Sequence, residues 1–222
     1  MSARVGVDIG GTFPDIVLRL PDGSDRRPFV IVDLITGAWG GRPDKDGMEG
    51  VTNPSQNVSN TPVEVLEAQH PICIDEYGFV PDSCGAGRFW GGPGLRRRYT
   101  LLNDEATLHL RSDGMRFLPY GLEGGGPACG GTRNVLNPDT EPRVMPAKFA
   151  VVLKRGDVVL HEQPGSGGFG DPFTRDPKRV AADARNEKIT LEYALREHGV
   201  VLEPGTFKVD AAATRAPRER RA

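Results

Sequence analysis

Glycine and proline punctuate this chain so often that they set what it can fold into. There are 29 glycines and 19 prolines among 222 residues, about a fifth of the chain. That share stays below the roughly 25–30% that marks low-complexity, unfolded sequence. The glycines also lie between short apolar runs rather than in repeats. Such residues serve turns, bulges and close backbone contacts. The expectation is therefore a β-rich fold of short elements, not a long-helix bundle.

Alternation places the strands. Arg4 to Ile9 and Asp15 to Leu20 read as two strands of a hairpin, joined by the turn Gly10-Gly11-Thr12. Pro21-Asp22-Gly23-Ser24 closes the hairpin, and Asp25 to Pro28 reads as a linker. Phe29 to Leu34 reads as a short buried strand. Thr36 to Asn60 has almost no apolar periodicity and reads as a long loop, with Trp39 as its one large anchor. Ile72–Val80, Arg96–Leu102, Ala106–Arg111, Met115–Leu118, Ala150–Leu153 and Asp157–His161 read as further strands.

Helix signals are fewer. Thr61 is placed as an N-cap with Pro62 at the first position and Glu64 three residues on, and Pro71 ends that helix. Asp176 and Pro177 open a second helix with Val180, Ala181 and Ala184 on one face. Thr190 opens a third, whose last turn carries Arg196 and His198 before Gly199 as the stop residue. Val200-Val201-Leu202 is expected to return to the sheet, and Arg215 to Arg221 reads as a solvated basic tail. The fold class is α+β: a β-rich domain with C-terminal helices, preceded by an N-terminal β-hairpin.

Composition narrows the function classes. A formal charge of −2 leaves no basic footprint for nucleic acid. No apolar run approaches the ~20 residues that cross a bilayer. Asp8 interrupts the first apolar stretch, which argues against a secretory leader and for a cytoplasmic protein. Cys73, Cys84 and Cys129 are odd in number and far apart, as expected of reduced thiols. His70, His109, His161 and His198 have no metal-ligand spacing, so no metal site is expected. His198 suits a helix C-terminus, where a positive charge favours the dipole.

Three stretches carry candidate chemistry. In Val7-Asp8-Ile9-Gly10-Gly11-Thr12 the glycines let the backbone approach phosphate, the Thr12 hydroxyl can add a bond, and Asp8 can hold Mg²⁺. A plain glycine turn is the alternative. Asp44, Lys45, Asp46, Asn53, Asn57 and Asn60 are polar groups in the long loop. They either line a small polar substrate pocket or stabilise turns through their own backbone. Pro164 to Pro172 either binds an anion through its amides or is a tight crossing where side chains do not fit.

The string RVGVDIGGTFPDIVL, Arg4 to Leu18, resembles the opening of A-type subunits of the hydantoinase/oxoprolinase family, which belong to the actin-like ATPases. The resemblance implies that Asp8, Gly10, Gly11, Thr12 and Asp15 contact ATP phosphates and Mg²⁺. Pro14 departs from the family's usual threonine and removes a donor. The resemblance stops near Gly23, so the adenosine site and the second phosphate loop of such an ATPase have no counterpart here.

From about Phe29 the chain is similar to the C-terminal part of the family's B-type subunit, in GAWGGRPDKDGMEGVTNPSQNVSNTPVEVLEA, VPDSCGAGRFWGGPGLRR and PGSGGFGDPFTRDPKRV. The implied organisation is a partial A-type hairpin over residues 1–24 followed by a partial B-type region over residues 29–222. The implied activity is ATP-dependent opening of a lactam or hydantoin ring, as in 5-oxoprolinases and N-methylhydantoinases, with A-type and B-type subunits as partners. Two alternatives stand beside it: a non-catalytic fusion remnant or partner module, and a fragment of an acetone or acetophenone carboxylase-type subunit. The resemblance places the B-type metal ligands in that subunit's N-terminal half, outside the matched stretches, and names no catalytic residue in this chain.

Overall fold

A computed structural model describes residues 31–52 and 59–219. The N-terminal hairpin read at residues 4–20 therefore lies outside the described residues. Within them the fold is α+β, with antiparallel sheets followed by helices.

Strands β1 (Ile72–Val80), β2 (Gly94–Leu101), β4 (Arg133–Leu136), β5 (Arg143–Met145) and β7 (Val158–Glu162) form one sheet in the order β1-β2-β7-β4-β5. Strands β3 (Glu105–Arg111) and β6 (Lys148–Lys154) form a separate antiparallel pair. Alternation decides the buried face. In β2, Leu95, Arg97, Tyr99 and Leu101 point inward while Arg96, Arg98 and Thr100 alternate outward. Tyr99 faces Val159 of β7, and Val159 faces Leu136 of β4. With Ala106, Leu108 and Leu110 of β3 and Leu153 of β6 they build one apolar core joining the two sheets.

A second core belongs to the helices. Helix α2 (Pro177–Arg185) and helix α3 (Leu191–His198) pack Val180, Ala181, Ala184, Tyr193 and Ala194 against Cys84, Ala86 and Trp90. Their boundaries follow local chemistry. Asp176 accepts a hydrogen bond from the Lys178 amide at 2.9 Å, and the Thr190 hydroxyl accepts from the Tyr193 amide at 3.1 Å. Gly199 closes α3 in the left-handed region at φ 61°.

The structure departs from the sequence reading in several places. Helix α1 (Val63–Gln69) starts one residue later than expected, with Pro62 as its cap residue and no side-chain cap bond from Thr61. Residues 31–35 alternate in burial, with Ile31, Asp33 and Ile35 inward, but they form no strand of either sheet. Met115–Leu118 is a loop with Phe117 exposed, because Gly114 at φ 80° and Pro119 interrupt any ladder. The short strands β4 and β5 carry too few residues for alternation to reveal them. Val200–Leu202 stays with the helices, where Leu202 bridges Val209. The expected basic tail is instead helix α4 (Ala211–Glu219). The Arg218 guanidinium docks it by donating to the carbonyls of Arg175 at 2.6 Å and His198 at 3.1 Å.

Candidate functional site

Between the two cores lies a layer made of backbone. Segments around residues 40–47, 85–94, 121–126 and 165–170 cross so closely that side chains are excluded. A Cβ on Gly168 would sit 2.0 Å from the Ala86 carbonyl oxygen, one on Gly91 1.9 Å from that of Ser166, and one on Gly47 2.0 Å from that of Trp39. The crossing segments hydrogen-bond one another. Ser166 donates to Gly92, Gly168 to Gly126, Phe169 to Phe89 and Gly170 to Leu122, all through backbone amides at 2.8–2.9 Å. Those four amides are committed, and with the excluded Cβ positions they make Pro164–Pro172 a tight crossing.

Trp90, not Trp39, is the aromatic that anchors this region. Trp90 is fully buried, whereas Trp39 is half-buried and donates through Nε1 to the Thr52 carbonyl at 3.2 Å. Beside Trp90, the Asp46 carboxylate accepts from the Trp90 amide at 3.0 Å, from Arg175 at 2.7 and 3.0 Å, and from Arg179 at 2.5 Å. Arg175, itself buried, also reaches Asp183 at 2.7 Å and the Arg88 carbonyl at 3.1 Å. Burial raises the Asp183 carboxyl's pKa, and Arg175 opposes that rise. The network ties the long loop to α2.

A second polar cluster crosses the main sheet. Arg97 of β2 faces His161 of β7, which faces Asn134 of β4. Arg97 pairs with the buried Asp33, donates to Asn60 Oδ1 at 2.6 Å, and stacks 4.0 Å from the Tyr77 ring centroid. Asn134 spends its amide nitrogen on Ser112 Oγ and the Pro146 carbonyl, both at 3.0 Å. Its Oδ1 therefore accepts from His161 Nδ1 at 2.7 Å, which fixes the tautomer and leaves Nε2 as a buried lone pair without a partner. Burial, and then the Arg97 charge, pull the His161 pKa down to about 3. His198 is likewise buried and lowered to about 4, so it is neutral where the sequence suggested a charged helix end. Desolvation outweighs the dipole there.

Of the residues nominated for phosphate and metal, Asp8, Gly10, Gly11, Thr12 and Asp15 lie outside the described residues, as do Asn53 and Asn57. Asp44 and Lys45 are exposed on a turn closed by the Arg42 amide on the Lys45 carbonyl at 2.9 Å. Asp46 and Asn60 serve the two clusters just described, with different partners. The described members of the set thus do not converge on one pocket. Among the described residues no group of three or more His, Cys, Asp or Glu could hold a metal ion, and the carboxylates nominated for Mg²⁺, Asp8 and Asp15, lie outside them.

One cavity among the described residues was missed by sequence reasoning. A cleft of about 500 Å³ opens between Gly37–Ala38, the loop Ser112–Tyr120, Thr132 and Gln163–Ser166. The hydroxyl protons of its serines and threonine are already spent. Ser112 Oγ donates to the Ala147 carbonyl at 3.1 Å, Thr132 Oγ1 to that of Asp113, and Ser166 Oγ to that of Ala38. Gln163 Nε2 donates to the Ile35 carbonyl, and Gln163 Oε1 is buried without a partner. Ser112, Thr132 and Ser166 therefore offer acceptor lone pairs to the cleft, while the Tyr120 hydroxyl is a donor at its rim. The only sequence signal was the apolar run through Phe117, Leu118, Tyr120 and Leu122, broken by Pro119 and Gly121 and hence unsuited to a strand.

The hydantoinase B/oxoprolinase family description matches residues 2–172, a span that includes the N-terminal stretch with A-type resemblance. The chain is 35% identical over 214 residues to an uncharacterized protein of Methanocaldococcus jannaschii, covering 93% of this chain and 38% of that protein. It is 29% identical over 191 residues to the B subunit of a putative D-/L-hydantoinase from a Pseudomonas species, 84% and 32% of the two chains. Over 167 residues it is 32% identical to the beta subunit of the caprolactamase of Pseudomonas jessenii, 70% and 27% of the two. The crystal structure of the ATP-dependent caprolactamase of that organism superposes with a TM-score of 0.75 at 25% identity, over 89% of this chain and 36% of that one. An acetone carboxylase in its nucleotide-free form shares the fold, with a TM-score of 0.74 at 21% identity over 87% and 31%. The chain thus spans about a third of the length of these proteins, and it belongs to the hydantoinase B/oxoprolinase family.

Proposed function

We propose that this chain forms a C-terminal, structural part of a B-type subunit in an ATP-dependent enzyme that opens a cyclic amide. The carrying observation is the family match over residues 2–172. The commitment of the buried polar groups supports the structural role. Asp33, Asp46, Arg97 and Arg175 hold one another, while His161 and His198 are buried and neutral. None of these groups is free to take up a substrate proton. Relatives described as a hydantoinase subunit and a caprolactamase subunit support ring opening of a hydantoin or lactam as the parent reaction, with an A-type subunit as partner. No step of that reaction is assigned to the described residues, because those nominated for the nucleotide and its metal lie outside them.

The test is phosphate release and titration calorimetry on the purified chain with Mg-ATP and 5-oxoproline, hydantoin or caprolactam. The A-type resemblance over Arg4 to Leu18 supplies only one of the phosphate loops of an actin-like ATPase, and binding must offset several kcal/mol of lost translational and rotational freedom. The chain alone is expected to bind Mg-ATP no tighter than about millimolar, near −4 kcal/mol, with no turnover. Ring opening is expected only when an A-type subunit and the rest of a B-type subunit are supplied. Micromolar binding lost on Asp8→Ala, or turnover by the chain alone, overturns the structural reading.

A further inference from the structure

We infer that Cys84 and Cys129 are a dithiol pair that closes to a disulfide when a small-molecule disulfide oxidises it. The inference does not depend on the proposed activity.

The two cysteines are far apart in the chain, and the backbone layer brings them together. Segments 83–86 and 126–129 lie side by side. The Cys129 amide donates to the Ser83 carbonyl at 3.0 Å, and the Gly126 amide to the Ala86 carbonyl at 2.7 Å. A Cβ on Gly85 would sit 2.5 Å from the Gly126 carbonyl oxygen, so no side chain separates the segments there. Backbones bonded in this way lie about 5 Å apart, within the Cα separation of about 4.4–6.8 Å that a disulfide spans. Tyr193 of α3 gathers the side chains. Its hydroxyl donates to the Cys84 carbonyl at 2.6 Å, and the Cys84 thiol approaches the same oxygen at 3.6 Å. The Cys129 thiol reaches that hydroxyl too. With its proton spent on the carbonyl, the Tyr193 oxygen offers its lone pairs to both thiols. Cys73 stands elsewhere, on β1 with Glu67 and Asp75 as its neighbours.

Exposure orders the chemistry. Cys129 is half-buried and Cys84 is buried. The Cys129 thiolate attacks one sulfur of glutathione disulfide, and the first glutathione thiolate leaves. Cys84 then gives its proton to solvent and attacks the Cys129 sulfur of the mixed disulfide, expelling the second glutathione. Two protein thiols lose two electrons and two protons, and one glutathione disulfide becomes two glutathione thiols. Burial pushes both thiols up. At Cys129, Glu197 and Asp82 add to the rise while Tyr193 and Arg196 oppose it; at Cys84, Tyr193 opposes while Cys129 and Asp183 add. Thiolate is therefore scarce near neutrality. Closure is slow there and quickens about tenfold per pH unit below the thiol range. The bond ties two crossing segments of the backbone layer and closes the chain between them into a covalent loop, which restricts the unfolded state.

The test treats the folded full chain with glutathione disulfide at mildly alkaline pH and quenches in acid. Thiols counted in denaturant are expected to fall from the three in the sequence to one. The intact mass should drop by two hydrogens, and peptide mapping should find Cys84 joined to Cys129. The melting temperature is expected to rise by about 5–10 °C and to return on reduction. Cys73→Ser should leave closure unchanged, and Cys84→Ala should stop at a single glutathione adduct on Cys129. The parent chain alone decides the matter if a variant fails to fold. Three thiols retained after long exposure overturn the proposal, as does glutathione on Cys129 with Cys84 still free. A bridge that includes Cys73, a bridge between two chains, or a Cys84–Cys129 bridge that forms only in urea overturns it equally. None of these readouts involves ATP or ring opening, so failure here and failure of the proposed activity are separable.

Discussion

Gly168→Ala is expected to destabilise the chain by about 3–6 kcal/mol. The added Cβ would lie 2.0 Å from the Ala86 carbonyl oxygen, 2.5 Å from its carbon and 2.8 Å from the Gly85 carbonyl oxygen. Non-bonded heavy atoms settle at roughly 3.5–4.0 Å, so the crossing segments must part by more than about 1 Å. All three neighbours are backbone, and no rotamer change relieves the clash. Overpacking of this kind costs about 1–3 kcal/mol. Parting the segments also strains the Gly126-to-Ala86 bond at 2.7 Å, the Gly168-to-Gly126 bond at 2.9 Å and the Leu122-to-Gly168 bond at 2.9 Å. Each such bond contributes about 1 kcal/mol net. The sum is a fifth or more of a typical domain's 5–15 kcal/mol. Urea unfolding followed by tryptophan fluorescence measures it, with Gly78→Ala as control. Gly78 lies in β1, has no atom within 4 Å of its added Cβ and no positive φ, so its substitution should stay within about 1 kcal/mol. A Gly168→Ala variant within about 1 kcal/mol of the parent refutes the backbone-layer reasoning.

Asp46→Ala should cost about 3–5 kcal/mol, because it leaves buried Arg175 with Asp183 as its one carboxylate partner; a loss below about 1 kcal/mol in the same assay sinks that account. Stability should also fall as pH drops from about 6.5 toward 4. The folded pKa values of His161 and His198, about 3 and about 4, lie below the unfolded value, so only the unfolded chain takes up protons there. The slope is up to ~1.4 kcal/mol per pH unit per histidine. Above about pH 7.5 these residues contribute almost no slope. Unfolding curves for the parent, His161→Gln and His198→Gln across pH 4.5–7.5 check this, and a slope unchanged in both variants counts against it.

Local chemistry determined what lies within a few residues. The alternation of β1, β2, β3 and β6, the Asp176 and Thr190 caps, and the Gly199 stop were legible because each depends on near neighbours in the chain. The motif strings carried the family, since they extend over most of the sequence. Contacts between distant segments were decided only in three dimensions. The run Pro164–Pro172 allowed an anion cradle or a crossing, and only the partners at residues 85–92 and 121–126 show the amides of Ser166, Gly168, Phe169 and Gly170 already bonded. Trp39 and Trp90 are the same residue type among similar glycines, and the second is buried because α2 and α3 close over it. Asp46 and Asn60 read alike as loop polars, yet one holds Arg175 and the other Arg97. His161 gives no sign in the sequence of facing a buried arginine, because strand register between β2 and β7 puts it there. The cleft at Gln163 joins residues more than 100 positions apart, a distance over which periodicity and capping carry no information.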